Sequence, residues 1–415
     1  MDLEGRKINK ILLNLLKVKK MYLIEKHIIN TKHSFYDECD RLCFQSKNIY
    51  NQALYNVRQH FFQTKQYLNY YSNYHVTKEQ ECYSYLPTKV FCQTIKMVDK
   101  NFKSFFTLIK NKTVKNKIPK YLDTVKGRYL TIFPKQAIGL KEFKKSGKIH
   151  LSQTNIYINT KISSFNDIKE VRIIPRVSHY IIEVVYFKQE KKIEVNSNIA
   201  SIDLGLNNLA TITYNNGYNP EIINGRPLKS INQFYNKKKG YFQSKLRSNR
   251  KTSKKICQLS YKRNNKIDDY LHKASRELVN QLVSKCITTL IIGKNVNMKQ
   301  DINLGKVNNQ NFVQIPIMRF AEMIKYKCEL EGITVTYHEE SYTSKCSFLD
   351  NEEICKHEKY LGKRIKRGLF KTTQGKIINA DVNGSYNIMK KAIPNVFTNG
   401  IEGVGVNPVV LTIKK

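Results

Sequence analysis

Three short stretches of this chain place acids where a folded protein could use them. The run IASIDLG ends an apolar segment on Asp203, with Gly205 two residues on. A strand end holds a carboxylate rigidly, and a glycine beside it lets backbone and a metal ion approach. In INADVNGSYNIMKKA, Asp381 stands at the start of a helix whose apolar positions Ile388 and Ala392 face a core. Its oxygens have two competing uses there, capping the helix and ligating a metal. In GITVTYHEESYTS, Glu339 and Glu340 close an extended run. Alternate strand residues point to opposite faces, so only one of the two is expected to join the other acids. Carboxylates gathered in this way hold divalent cations by charge and geometry, with no covalent intermediate.

The elements that must position these acids can be read from periodicity. Asp203 sits between the strand IASID and a second strand, LATITY, closed by an Asn-Asn-Gly turn, an arrangement that opens nucleases of the RNase H-like class. TTLIIGKNVNMKQ, residues 288–300, is a buried strand that runs into Gly293, Lys294 and Asn295 without delivering an acid. A helix over 314–330 ends at Gly332, and the strand after it, expected beside the Asp203 strand, carries the two glutamates. Nearer the start, Leu42, Ile49, Ala53, Val57 and Phe61 recur at helical spacing over 34–62. After Pro87, Phe91, Ile95, Val98, Phe102, Phe106 and Ile109 do the same. Both stripes are expected to pack, leaving lysine-rich faces for phosphates. The tyrosine-dense QYLNYYSNYH between them can stack bases or pack as an ordinary connection. From Pro119 the runs YLTIF, KIHLS, EVRIIPRV and YIIEVVYF, with a turn at Ser178 and His179, predict a β-rich module whose partner strand lies near 21–30. KKIEVNSN reads as a linker.

Composition narrows the partner. The 72 Lys and Arg against 33 Asp and Glu give a net charge of +39, which points to a polyanion, with nucleic acid ahead of a membrane surface. No run approaches the roughly 20 apolar residues of a membrane-spanning helix. The opening MDLEGRKINKILLNLLKVKK is too short in its apolar part for a secretory signal, and Met21 is an alternative start. The nine cysteines lack the close pairing of a secreted scaffold, so a reducing cytoplasm is expected, with nucleoid association when bound to DNA. Residues 236–266 contain no acid, and Lys237, Lys238, Lys239, Lys245, Arg247, Arg250, Lys254, Lys255, Lys262 and Arg263 are expected to track phosphates. Lys294 and Lys299, and Arg364, Lys366 and Arg367 in KYLGKRIKRGLFK, extend that surface. His272, on a helix bearing Ile267, Leu271, Ala274, Leu278 and Leu282, is read as structural.

Taken in order, LPTKVFCQTIKMVDKNFKSFF, IPKY, VRIIPRVSHYIIEVVY, SIDLGLNNLATI, DDYLHKASRELV, YTSKCS and NADVNGSYNI resemble the OrfB/TnpB family of transposon-encoded, RNA-guided DNA nucleases, relatives of the compact type V CRISPR effectors. The resemblance runs from Met21 to about residue 392. It implies a mixed α/β fold: an RNase H-like (RuvC) nuclease domain over 196–343 and 377–392, and a wedge β-barrel over 21–33 and 116–195, split by a helical recognition insertion at 34–115. It leaves an N-terminal extension at 1–20, an insert at 344–376 and a tail at 393–415. By the same resemblance, Asp203 and Asp381 are the first and last carboxylates of a RuvC-type site for two Mg²⁺ ions. The implied partners are a guide RNA from the transposon end and a double-stranded DNA target.

Two departures bear on activity. The family's middle glutamate is absent from the strand at 287–292, and Glu340, ahead of Glu339, is the expected substitute. The family's four-cysteine zinc ribbon is reduced to Cys346, Cys355 and His357, too few ligands for the usual tetrahedral site, so no zinc is expected. Two alternatives stay open: a catalytically inactive RNA-guided DNA-binding protein, and a DNA-strand-joining transposase, for which no tyrosine or serine stands in a recognisable nucleophile setting.

Overall fold

The structure is a computed structural model that describes residues 20–111, 118–247, 250–294, 313–366, 368–397, 400 and 403–413. Lys299 and Arg367 lie outside these residues, as does nearly all of the N-terminal extension. The chain divides into two compact units, Met1–Gln189 and Glu190–Lys415.

In the first unit, strand β1 (Lys20–Asn30) is followed by helices α1 (Tyr36–Thr64), α2 (Tyr70–Lys78) and α3 (Thr88–Lys110). After them come β2 (Thr131–Pro134), α4 (Leu140–Ser146), β3 (Lys148–His150), β4 (Tyr157–Asn159), β5 (Ile168–Pro175) and β6 (His179–Gln189). The chain thus leaves the sheet after β1 and returns to pair β1 with β6 along its whole length, from Lys20↔Gln189 to Asn30↔His179. The described pairings form an open four-stranded sheet, β1-β6-β5-β2, and a separate β3-β4 ribbon. The closed barrel expected from the resemblance is therefore not among them.

Both helical stripes pack as their spacing requires, through Leu42, Ile49, Ala53 and Val57 on α1 and Phe91, Ile95, Val98 and Phe102 on α3. They stop short of the predicted ends, with Phe61, Phe106 and Ile109 exposed. The tyrosine-dense stretch is largely a packed element. Its second half, from Tyr70, opens α2, capped by Asn69, and Tyr67, Tyr70 and Tyr74 rest on the core.

In the second unit, β7 (Ile199–Leu204), β8 (Asn208–Tyr214) and β9 (Glu221–Asn224) precede helices α5 (Arg226–Ser244) and α6 (Lys254–Ser284). Then follow β10 (Thr289–Lys294), α7 (Ile317–Leu330), β11 (Thr334–Glu339), β12 (Lys363–Lys366), β13 (Leu369–Lys371), β14 (Ile377–Asn379), α8 (Ala380–Ala392) and β15 (Val409–Leu411). The sheet order is β11-β10-β7-β8-β9-β15. β10 and β11 join in parallel, so long helical crossovers must connect them. Those crossovers supply the buried stripes Ile267, Leu271, Ala274, Leu278 and Leu282 of α6 and Phe320, Ala321 and Ile324 of α7.

Three expectations are corrected here. β11 neighbours β10 and is one strand removed from the Asp203 strand. The segment read as a tail contributes β15, which pairs in parallel with β9. The insert's small sheet, β12-β13-β14, continues through Ile377–Asn379, past the expected boundary at 376. The linker reading is also modified. Lys191 N donates to Leu330 O (3.0 Å) and Lys191 Nζ pairs with Glu331 (2.6 Å), so this segment is docked on the end of α7. Gly332, at φ +87, makes the left-handed exit from that helix.

Between α6 and α7, the buried Lys327 ammonium donates to His272 O (2.7 Å) and Ser275 Oγ (2.6 Å). Burial, with a smaller contribution from Arg276, lowers its pKa from 10.5 to about 8. Between these values the unfolded chain holds a proton that the folded chain lacks, so stability rises with pH across that window. The urea midpoint of the native protein is expected to rise between about pH 8 and 10.5 by an increment that Lys327→Met lacks; parallel curves for the two proteins would refute the assignment.

Candidate carboxylate site

Asp203 lies near the C-terminal end of β7 and turns toward α8. A Cβ on Gly384 would lie 2.9 Å from Asp203 Oδ2, so only glycine lets helix and carboxylate approach this closely. Gly205 has a different role from the one expected of it: a Cβ there would meet Asn208 O at 2.6 Å, so the glycine closes the β7–β8 turn.

Strand register explains which glutamate arrives. Ile292 pairs with Ile202, which sets Gly293 level with Asp203, and Gly293 in turn pairs with His338. Two residues beyond His338 on the alternating pattern comes Glu340, while Glu339 has the opposite phase. Glu340 reaches over the intervening strand because Gly293 has no side chain. A Cβ there would meet Glu340 Oε2 at 2.9 Å and Ile388 Cδ1 at 2.5 Å. Glu339 is instead held by Lys391 (2.6 Å) and by the backbone N–H of Ser341 (2.8 Å), which keep its carboxyl below the usual range.

The motif NADVNGSYNI resolves into separate tasks along α8. Asn379, not Asp381, caps the helix, its Oδ1 accepting from Asp381 N (2.9 Å) and Val382 N (3.3 Å). Such a cap contributes about 1 kcal/mol and leaves the aspartate side chain free of that duty. Asn383 donates to Cys346 O (2.8 Å) and accepts from Phe348 N (2.9 Å); Asn387 donates to Thr343 O (2.9 Å) and Cys346 O (2.8 Å). These two buried amides latch the loop that follows Glu340. Ser385 joins Ser201 and Thr213 in a buried hydroxyl cluster that ties α8 to β7 and β8. Asp381 Oδ2 accepts from Asn208 Nδ2 (2.7 Å), and its Oδ1 lies 3.9 Å from Arg364. Asn208, the asparagine that closes the IDLGxxN pattern begun by Ile202 and Asp203, carries a role its sequence position alone does not assign.

Electrostatically the cluster is under-compensated. Burial first, then the Asp381 and Glu340 carboxylates, hold Asp203 well above the ordinary range, with Arg364 acting in the opposite sense. Burial, and then Glu339, also raises Glu340. Among the described residues no group of three or more His, Cys, Asp and Glu is closed on one point as a metal site. Nevertheless, a buried aspartate at the end of β7 with two further carboxylates acting on it, one from α8 and one from beyond β11, forms a donor set suited to hard divalent cations.

In the insert, loop closure is carried by acids. Glu352 accepts from Ser347 N (2.6 Å) and Leu361 N (2.9 Å), and Asp350 accepts from Thr373 N (3.0 Å). Cys355 Sγ is 3.3 Å from His357 Nε2, while Cys346 Sγ faces Cys355 O at 3.7 Å. Of the expected phosphate-facing cations, Lys237, Lys238, Lys245, Arg247, Arg250, Lys254, Lys255, Lys262, Lys294, Arg364 and Lys366 are exposed. Lys239 leans over the Tyr235 ring at 5.8 Å. Arg263 departs from expectation: its guanidinium is engaged by Asn232 (2.8 Å), Asn264 (2.9 Å) and Gln314 O (2.8 Å), so it braces the helices.

Comparison with known proteins shows what the chain as a whole is similar to. Residues 182–299 match the OrfB_IS605 family, described as a probable transposase, and residues 318–388 match the Cas12f1-like TNB domain. The CRISPR-associated endodeoxyribonuclease Cas12f2 of a Micrarchaeota archaeon is 26% identical over 269 residues, covering 60% of this chain and 47% of that protein. A TnpB-like protein of Methanocaldococcus jannaschii is 30% identical over 125 residues, covering 28% of this chain and 43% of that protein. The chain thus spans about half the length of these curated relatives. Among solved structures, the cryo-EM structure of the Cas12f1–sgRNA–target DNA complex matches with a TM-score of 0.53 at 16% identity, covering 85% of this chain and 82% of that one. The mixed α/β fold is similar to that of the Cas12f1 chain in this complex. Parts of the chain are thus similar to the OrfB_IS605 family, to the Cas12f1-like TNB domain, to Cas12f2 and to a TnpB-like protein.

A raised carboxyl pKa destabilises the metal-free fold at all pH values above its unfolded pKa of about 3.9. Asp203→Asn is therefore expected to melt several degrees higher than the native protein in chelator at pH 7, with the gain shrinking as pH falls toward about 4. Added Mg²⁺ should stabilise the native protein and not the variant; equal melting in chelator across this range would contradict the electrostatic reading.

Proposed function

We propose that the chain is an RNA-guided, Mg²⁺-dependent DNA endonuclease of a transposable element, with a RuvC-type site formed by Asp203, Glu340 and Asp381. The observation that carries this reading is the convergence of Glu340 and Asp381 on Asp203 at the end of β7, with Gly293 giving Glu340 passage. Asp203, Glu340 and Asp381 would hold two Mg²⁺ ions, which when bound lower the pKa of a water and offset charge on the departing 3′ oxygen. Asn208 orients the Asp381 carboxylate. Arg364 stands where it can meet a phosphate at the same edge. Guide RNA and double-stranded DNA are the partners, supported by the charge of +39 and by the likeness to a Cas12f1 chain solved with both. The helical and β-rich parts of residues 20–189 hold the RNA and read a short flanking duplex, and residues 344–376 add phosphate contacts.

One observation favours a second reading, a guided DNA-binding protein without cleavage: Asp381 is already engaged by Asn208 and Arg364. The test is cleavage of a guide-matched DNA by the purified ribonucleoprotein. Mg²⁺-dependent cleavage is expected, reduced by roughly a hundredfold or more in Asp203→Ala, Glu340→Ala or Asp381→Ala, and largely retained in Glu339→Ala. Guide-directed binding without cleavage would establish the second reading. A further outcome isolates the role of the glycine. Gly293→Ala should still fold, melting a few degrees lower because its methyl crowds the buried Ile388 Cδ1 at 2.5 Å, and should lose cleavage by roughly tenfold or more as Glu340 is displaced, while Glu339→Ala keeps it.

A further inference from the structure

Helix α5 carries an exposed face that phosphate binding alone does not explain. Phe234 and Tyr241 are 59% and 53% exposed, and seven residues apart they share one side of the helix. Lys237 and Lys238 lie between them on that side. Lys245 places its Nζ 4.4 Å from the centre of the Tyr241 ring. The inner side is accounted for: Tyr235 OH meets Ser260 Oγ (3.0 Å) on α6, and Lys255 of α6 approaches the Phe242 ring at 5.9 Å. Single exposed aromatics are ordinary on protein surfaces. Two on one face, separated by lysines and at the border of a stretch without acids over 236–266, form a repeating pattern of ring and cation.

We propose that this face of α5 binds single-stranded nucleic acid, with Phe234 and Tyr241 stacking on unpaired bases and Lys237, Lys238 and Lys245 on the phosphates beside them. The chemistry selects the single strand. In a duplex the base faces are already stacked, so only its backbone is offered; a single strand presents both base faces and charge. The helical rise sets the two ring-bearing residues about 10.5 Å apart along the axis, close to three stacking steps of about 3.4 Å. The proposal rests on the nuclease reading, in which an unpaired strand arises wherever a guide displaces one strand of the target.

The test compares fluorescent single-stranded and duplex oligonucleotides of one sequence, titrated with the full chain across a salt series. Phe234→Ala/Tyr241→Ala is expected to weaken single-strand binding roughly tenfold or more, with an unchanged salt slope and a loss confined to the single strand. Lys237→Ala/Lys238→Ala should weaken both ligands and flatten the slope. Phe234→Tyr/Tyr241→Phe should keep the binding that the alanine pair loses. Equal loss on both ligands, or none on either, in the alanine pair overturns the stacking role. If the native chain binds neither oligonucleotide, the nucleic-acid reading itself fails, a result distinct from failure of the aromatic face alone. Both rings are exposed, and matched melting curves would show that the variants fold.

Discussion

The second unit is organised around the close approach of one helix to the end of one strand. Asp203 can point toward α8 only because residue 384 is glycine, and α8 can press onto β7 only because Ser201, Thr213 and Ser385 satisfy one another's hydroxyls in the buried seam. Burying like charges this closely is unfavourable, and Asp203 registers the penalty as a raised pKa. The surrounding packing maintains the arrangement. Asn383 and Asn387 pin the loop beyond Glu340, and Phe348 stacks on Tyr386 at 4.5 Å. The site is thus a strained electrostatic arrangement held by neutral hydrogen bonds and apolar contacts, a condition that a divalent cation would relieve.

The relocated acid follows from the same geometry. A side chain on Gly293 and the carboxylate of Glu340 cannot occupy one space, so an acid on β10 and an acid beyond β11 are alternatives. The parallel pairing of β10 with β11 brings the outer strand's end near enough, and the alternation of faces gives Glu340 the required phase. Glu339, one residue earlier, is drawn off by Lys391.

Much of the fold was legible because helices and strands leave local periodic patterns. The stripes of α1, α3 and α6 and the strands around Asp203 lie close to where spacing put them. Their outer ends were less legible: Phe61, Phe106 and Ile109 continue the period and yet face solvent, since a stripe records a helix and not how far its partner extends. Arg263 was read as a phosphate ligand from charge alone, but an arginine's fork serves equally well to bind carbonyl and amide oxygens between helices. The tyrosines at 67–74 offered stacking surface by composition, whereas burial assigns most of them to the core.

What the sequence determined by itself was the inventory: a polybasic chain, an aspartate at a strand end, another in the first turn of a helix, two adjacent glutamates, and a strand that ends in glycine. These are local facts, set by residue type and by periods of 2 and 3.6. Tertiary structure alone decided that β10 stands between β7 and β11, that Asn379 relieves Asp381 of capping, that Glu340 is the glutamate turned inward, and that Val409–Leu411 completes the sheet edge. The reason is that parallel register and strand order are fixed by crossovers and by packing between residues far apart in the chain, and no window of neighbouring residues contains that information.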